Sequence, residues 1–123
     1  MTFVFEGIDH VQLAAPEGSE NQARKFFAEL LGMEEVEKPE ALKKRGGVWF
    51  QCGNQQIHIG IEKDFIPAKK AHPALVVKNI DQLMSHLSKK EAAYQKDDKL
   101  PNAKRIYLED PFGNRIEILE WQS

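Results

Sequence analysis

The sequence predicts an α+β fold built from two tandem βαβββ modules, and three observations predict it. The first is an internal echo. His10, in Ile8-Asp9-His10-Val11-Gln12-Leu13, is answered 48 residues on by His58 in Gln56-Ile57-His58-Ile59. His72, in Ala71-His72-Pro73-Ala74-Leu75-Val76-Val77, is answered 45 residues on by Glu117 in Arg115-Ile116-Glu117-Ile118. The second is that the hydrophobic period moves from strand-like to helix-like and back again in the same order in each half. The third is a Gly-Asn pair ahead of each closing strand-like run, Gly53-Asn54 and Gly113-Asn114. Self-similarity of this kind marks one supersecondary unit used twice.

Taken in order, residues 5–14 alternate, with Ile8, His10 and Gln12 on one side and Val11 and Leu13 on the other, as in a half-buried strand. Pro16-Glu17-Gly18 ends it. Ser19-Glu20-Asn21-Gln22 has the form of a capping box with Ser19 as N-cap, and Ala23, Phe26, Phe27, Leu30 and Leu31 follow at helical spacing, with Gly32 as the C′ residue. Residues 33–37 read as a short strand, Pro39 to Gly47 as a basic loop, and Val48–Cys52 with Ile57–Ile61 as a hairpin. In the second half His72 to Val77 is a strand, and Asn79-Ile80-Asp81-Gln82 starts a helix with Leu83, Met84 and Leu87 on its apolar face. Tyr94 marks a short strand. Arg105–Glu109 and Arg115–Leu119 close the module around the turn Asp110-Pro111-Phe112-Gly113-Asn114. This gives one domain over 1–123, with module one at about 4–62, a linker at about 63–70 and module two at about 71–121.

Bulk properties narrow the function classes. A chain of 123 residues with 41% hydrophobic residues is long enough for a real core. A net charge of −2 and a pI near 6.1 offer no electrostatic attraction for nucleic acid or an anionic membrane. No apolar run approaches the length of a membrane span, and the N-terminal residues lack the pattern of an export signal. The lone Cys52 permits no internal disulfide and is expected in a strand, so a cytoplasmic location is expected.

Side chains at i and i+2 share a face of a strand. Ile57, Ile59 and Ile61 therefore pack together and leave His58 opposite; Ile116 and Ile118 leave Glu117 opposite. Val11 and Leu13 leave His10 opposite, and Leu75 and Val77 do the same for His72. If each helix covers its module's apolar face, all four ionisable groups project from the other, concave face.

These residues carry a family resemblance. Ile8-Asp9-His10-Val11, Phe26-Phe27 with Leu31-Gly32, and Asp110-Pro111-Phe112-Gly113-Asn114-Arg115-Ile116-Glu117 resemble the vicinal oxygen chelate (glyoxalase/bleomycin resistance/dioxygenase) superfamily over nearly the whole chain. The resemblance implies a cupped mixed sheet holding a divalent metal (Zn, Ni, Co, Mn or Fe), with His10, His58, His72 and Glu117 at the ligand positions. It also implies a homodimer and a small-molecule substrate with vicinal oxygens. Departures are visible. Glyoxalase I usually has Glu where His58 stands, and no Arg follows Glu117 as it does in the fosfomycin-resistance enzymes.

The expectation that follows is a glyoxalase-like lyase or isomerase, the metal acting as Lewis acid and Glu117 as catalytic proton shuttle. Gln12, Trp49, Arg105 and Tyr107 are candidate substrate contacts; for Trp49 and Tyr107 ordinary packing is the equal alternative. His58 has a second reading as a substrate contact. Lys43-Lys44-Arg45 and Lys69-Lys70 read first as solvated faces and second as binders of an anionic group. His86 reads as solvated. The rival reading of the chain is a bleomycin-resistance-like protein that sequesters a small molecule without catalysis. Thiol transfer and non-haem iron dioxygenation are further alternatives within the same superfamily.

Overall fold

The alternating and helical segments fold as two βαβββ units in a computed structural model that describes residues 2–123. One unit runs to Phe65 and the other begins at Ile66.

In the first unit, β1 (His10–Ala15), β2 (Glu34–Val36), β3 (Val48–Cys52) and β4 (Gln55–Ile61) form a mixed sheet in the order β1-β4-β3-β2. The β1–β4 pair is parallel and the other pairs antiparallel. A helix, α1 (Glu20–Ala23), continues as a π-helical stretch over Arg24–Leu30 and buries Phe26 and Phe27. Phe27 stacks on Phe50 of β3 with centroids 5.4 Å apart. Leu13, Val48, Ile57 and Ile59 complete this core. Gly32, at φ +78°, ends the helix in the left-handed region that favours glycine.

The second unit repeats the plan with β5 (Ala74–Val76), α2 (Ile80–Lys89), β6 (Gln95–Asp97), β7 (Ala103–Glu109) and β8 (Arg115–Trp121) in the order β5-β8-β7-β6. Again the first and last strands pair in parallel. Ile80 and Leu87, seven residues apart on one helix face, are buried, as are Ile106, Leu108, Ile116, Ile118 and Leu119. The two parallel pairings explain the echo in the sequence, because each repeated signature lies in, or directly before, the first and last strands of its unit.

Several local expectations are corrected. Residues 2–9 form no strand, because the partner strand β4 begins only at Gln55, opposite the start of β1. Ser19 and Asn79 do not cap with their side chains. Ser19 has αR backbone angles and a buried hydroxyl without a partner, and Asn79 is left-handed at φ 62°. The basic segment is a 3-10 helix over Glu40–Arg45 rather than an open loop. The short strand near Tyr94 begins one residue later, at Gln95. His72 precedes β5 instead of lying in it. Cys52 and His86 are half-buried.

Candidate functional site

In the first unit the parallel register places Gln12 beside His58, and the antiparallel register places Trp49 on its other side. Cross-strand partners share a face, so Gln12, His58 and Trp49 form one row across β1, β4 and β3. The His58 ring is sandwiched. It lies parallel to Trp49 at 3.8 Å between centroids and stacks on His10 at 4.0 Å. His58 is consequently 5% exposed, although Gln12 and His10 beside it are exposed. Burial, and then the neighbouring His10, hold the His58 imidazole below its ordinary pKa; Asp9 opposes this.

Each imidazole has one nitrogen committed to a protein oxygen. His10 Nδ1 lies 2.9 Å from Asp9 Oδ2. His58 Nε2 lies 2.8 Å from Gln56 Oε1, and that amide is oriented by donating its own Nε2 to Gln51 Oε1 at 3.3 Å. His72 Nδ1 lies 2.8 Å from the Lys70 carbonyl. A carboxylate or carbonyl oxygen can only accept, so these contacts put the proton on that nitrogen. His10 Nε2 and His58 Nδ1 are left as the nitrogens available to ligate, whereas His72 Nε2 faces the Glu117 carboxylate.

In the second unit His72 and Glu117 meet. His72 Nε2 is 2.9 Å from Glu117 Oε1, and Glu117 is 7% exposed. Arg105 donates to Glu117 Oε2 at 3.3 Å and to Asp97 at 2.8 Å. Its Nε is buried and unpartnered. Tyr107 lies under both Arg115, at 4.1 Å, and Arg105, at 5.2 Å, and its ring is edge-on to His72 at 5.8 Å.

The structure therefore brings His10, His58, Gln12 and Trp49 together in one unit and His72, Glu117, Arg105 and Tyr107 together in the other. Within neither unit, among the described residues, does a third His, Cys, Asp or Glu join the pair in a cluster able to hold a metal ion. The donor types, imidazole nitrogens and a carboxylate oxygen, suit a borderline divalent metal. The acceptors that orient the rings were missed in the sequence. Their signal was positional: Asp9 directly precedes His10, while Gln56 and Lys70 sit two residues before His58 and His72.

The basic clusters separate on inspection. Lys43 pairs with Glu37 and Glu40, and Lys69 with Glu109. Arg45 and Lys38 instead line a cleft of about 170 Å³ with Gln12 and Trp49.

A sequence profile of the Glyoxalase/Bleomycin resistance protein/Dioxygenase superfamily matches residues 7–118. No curated protein matches the sequence. Among solved structures, a glyoxalase family protein from Bacillus anthracis is 54% identical, with 99% of this chain and 100% of that one covered and a TM-score of 0.97. A lactoylglutathione lyase from Agrobacterium tumefaciens is 21% identical, covering 94% and 93% of the two chains, with a TM-score of 0.73. A glyoxalase family protein from Enterococcus faecalis is 22% identical, covering 94% and 98%, with a TM-score of 0.74. At those two lower identities the likeness is one of fold. No helix is long and apolar enough to cross a membrane among the described residues. By the extent of the profile match, the chain belongs to the Glyoxalase/Bleomycin resistance protein/Dioxygenase superfamily.

Proposed function

We propose that the chain is a metal-dependent enzyme of the lyase or isomerase type, acting on a small substrate with vicinal oxygens. The observation that carries this reading is the shared state of His10 and His58: each has one nitrogen held by a protein oxygen and the other left as a donor. That arrangement fixes tautomer and ring orientation, as the outer partners of metal-bound histidines do. His10, His58, His72 and Glu117 are the residues that would hold the ion. When bound, a divalent cation supplies Lewis acidity and stabilises negative charge developing on a substrate oxygen.

The chain's own contribution centres on Glu117. Its Oε1 is directed at His72 and its Oε2 is held by Arg105, so the carboxylate is fixed in orientation before substrate arrives. It moves a proton to and from substrate carbon or oxygen, the role its acceptor chemistry suits. Gln12, Trp49, Arg105 and Tyr107 orient the substrate.

The test is elemental analysis of protein purified without added metal or chelator, beside a His72→Ala, Glu117→Ala double variant. Near-stoichiometric metal that is lost in the variant supports the reading. Its identity then directs the assays, nickel, cobalt or zinc toward lyase and isomerase substrates, iron or manganese toward oxygenase and thiol-transfer substrates. Protein that neither carries nor takes up metal on titration sinks the proposal.

A second reading, small-molecule binding without catalysis, is favoured by one observation. Both Glu117 oxygens already have nitrogen partners from His72 and Arg105. Ligand binding by metal-free protein, undiminished in the double variant, would select it.

A further inference from the structure

The cleft in the first unit has a construction that the catalytic reading does not use. Beyond the Gln12–His58–Trp49 row, the register continues with Ala14 beside Gly60. The row of large side chains thus gives way to small residues, and the sheet surface drops into a hollow. A Cβ at Gly60 would lie 2.5 Å from Gln12 Nε2 and 2.8 Å from Gln12 Cδ, so the Gln12 amide lies directly over the glycine. That amide makes no hydrogen bond with any described residue, although it offers two N–H donors.

The rim of the hollow is cationic. Lys38, Leu42 and Arg45 line it, and no Asp or Glu does. Lys38 is anchored by donating to the Gly46 carbonyl. One carboxylate stands beside the lining: Glu20 Oε2 accepts the Gly47 N–H at 2.8 Å and lies close to Gly46. Arg45 has no ion pair or hydrogen bond with any described residue, in contrast to Lys43 two positions earlier, which holds two carboxylates. Arg45 and Gln12 thus both line one hollow, together with Gly60, Trp49 and Leu42. At about 170 Å³ the cleft is smaller than a usual ligand pocket of roughly 300–1,000 Å³, so it takes one group of a ligand and not a whole one.

We propose that this cleft is an oxyanion subsite: it seats a carboxylate or phosphate borne by the substrate, with Arg45 supplying the charge, Gln12 an amide N–H, and Trp49 and Leu42 packing the adjoining carbon. Arg45 presents the planar fork that suits such oxyanions. Calling the anion part of a substrate rests on the enzymatic reading above, since Gln12 and Trp49 both flank His58.

The test uses probes without vicinal oxygens, so that chelation at a metal cannot mimic the subsite. Chelator-treated full-length protein is titrated with phenylacetate and, separately, with inorganic phosphate. The indole N–H of Trp49 and the side-chain amide of Gln12 are followed by NMR. Saturable shifts at both groups are expected, in the millimolar range, and the tighter probe names the type of oxyanion. Arg45→Ala and Gln12→Ala are each expected to weaken binding, Arg45→Ala by about tenfold or more. Lys44→Ala carries the same charge change from the neighbouring position outside the cleft and is expected to change affinity less than about twofold. No saturable shift with either probe, or equal weakening by Lys44→Ala, overturns the subsite. Metal content measured on protein purified without added metal or chelator, before the chelator step, separates the two proposals. Anion binding without metal leaves the subsite standing and removes the enzymatic reading; metal without anion binding does the reverse.

Discussion

The carboxylate of Glu120, near the end of β8, caps the helix that starts at Ile80. Its Oε1 accepts the Ile80 N–H at 3.0 Å and its Oε2 the Asn79 N–H at 3.0 Å. Helix starts leave backbone N–H groups without partners, and an anion there also meets the favourable end of the helix dipole. Asn79 is the N-cap residue, but its left-handed backbone comes with no side-chain cap bond. A strand residue 40 positions away does the work instead.

These backbone bonds hold the Glu120 carboxyl below its usual pKa. A lowered carboxylate pKa contributes stability that is present above the unfolded value and lost as pH falls through the folded one. Glu120→Ala is therefore expected to lower the melting temperature at pH 7, and the two proteins are expected to melt closer together at pH 3. An equal gap at both pH values would show that the carboxylate's charge is not what matters.

Ser19 offers the opposite case. As an N-cap serine its replacement by alanine would cost about 0.5–2 kcal/mol. Here the hydroxyl makes no cap bond and is buried without a partner, an arrangement that itself costs free energy. Ser19→Ala is expected to be neutral or stabilising in urea unfolding. A loss of about 1 kcal/mol or more would restore the capping interpretation.

The sandwich around His58 has a spectroscopic consequence. In chelator-treated protein its ring is expected to titrate below the ordinary imidazole range, chiefly through burial and then through His10. Trp49→Ala uncovers one ring face and is expected to move the titration back up, as read from the ring proton shifts. Because the lowered value lets the unfolded chain take the proton first, wild-type stability is expected to fall as pH drops below about 6.5. A wild-type His58 that titrates at or above that value contradicts the burial argument.

In the first core, Phe27 is fully buried and stacks on the equally buried Phe50. Phe27→Ala leaves a cavity that the sheet cannot collapse to fill, at a cost of about 3–5 kcal/mol. That is a large part of the roughly 5–15 kcal/mol that stabilises a typical domain. Equilibrium denaturation should show the midpoint fall steeply, whereas Val76→Ala, at an exposed position, should leave it nearly unchanged.

Much of the architecture was legible because it depends on near neighbours in the chain. Alternation of side chains by strand sterics placed β3, β4, β7 and β8 and set His58 and Glu117 opposite their isoleucines. Gly32 marked the end of the first helix because its backbone angle suits glycine. The pairing of His10 with His58 and of His72 with Glu117 was legible as an echo, although not as contact. Tertiary structure decided what depends on register between distant segments. The parallel alignment of β1 on β4 put Gln12 beside His58 and over Gly60 in the cleft, and the His10 ring stacks on His58 from the same strand. The packing of β8 near the start of α2 let Glu120 replace the expected Asn79 cap. Such alignments are chosen by the sum of many weak contacts across the sheet, and no local window of sequence contains them.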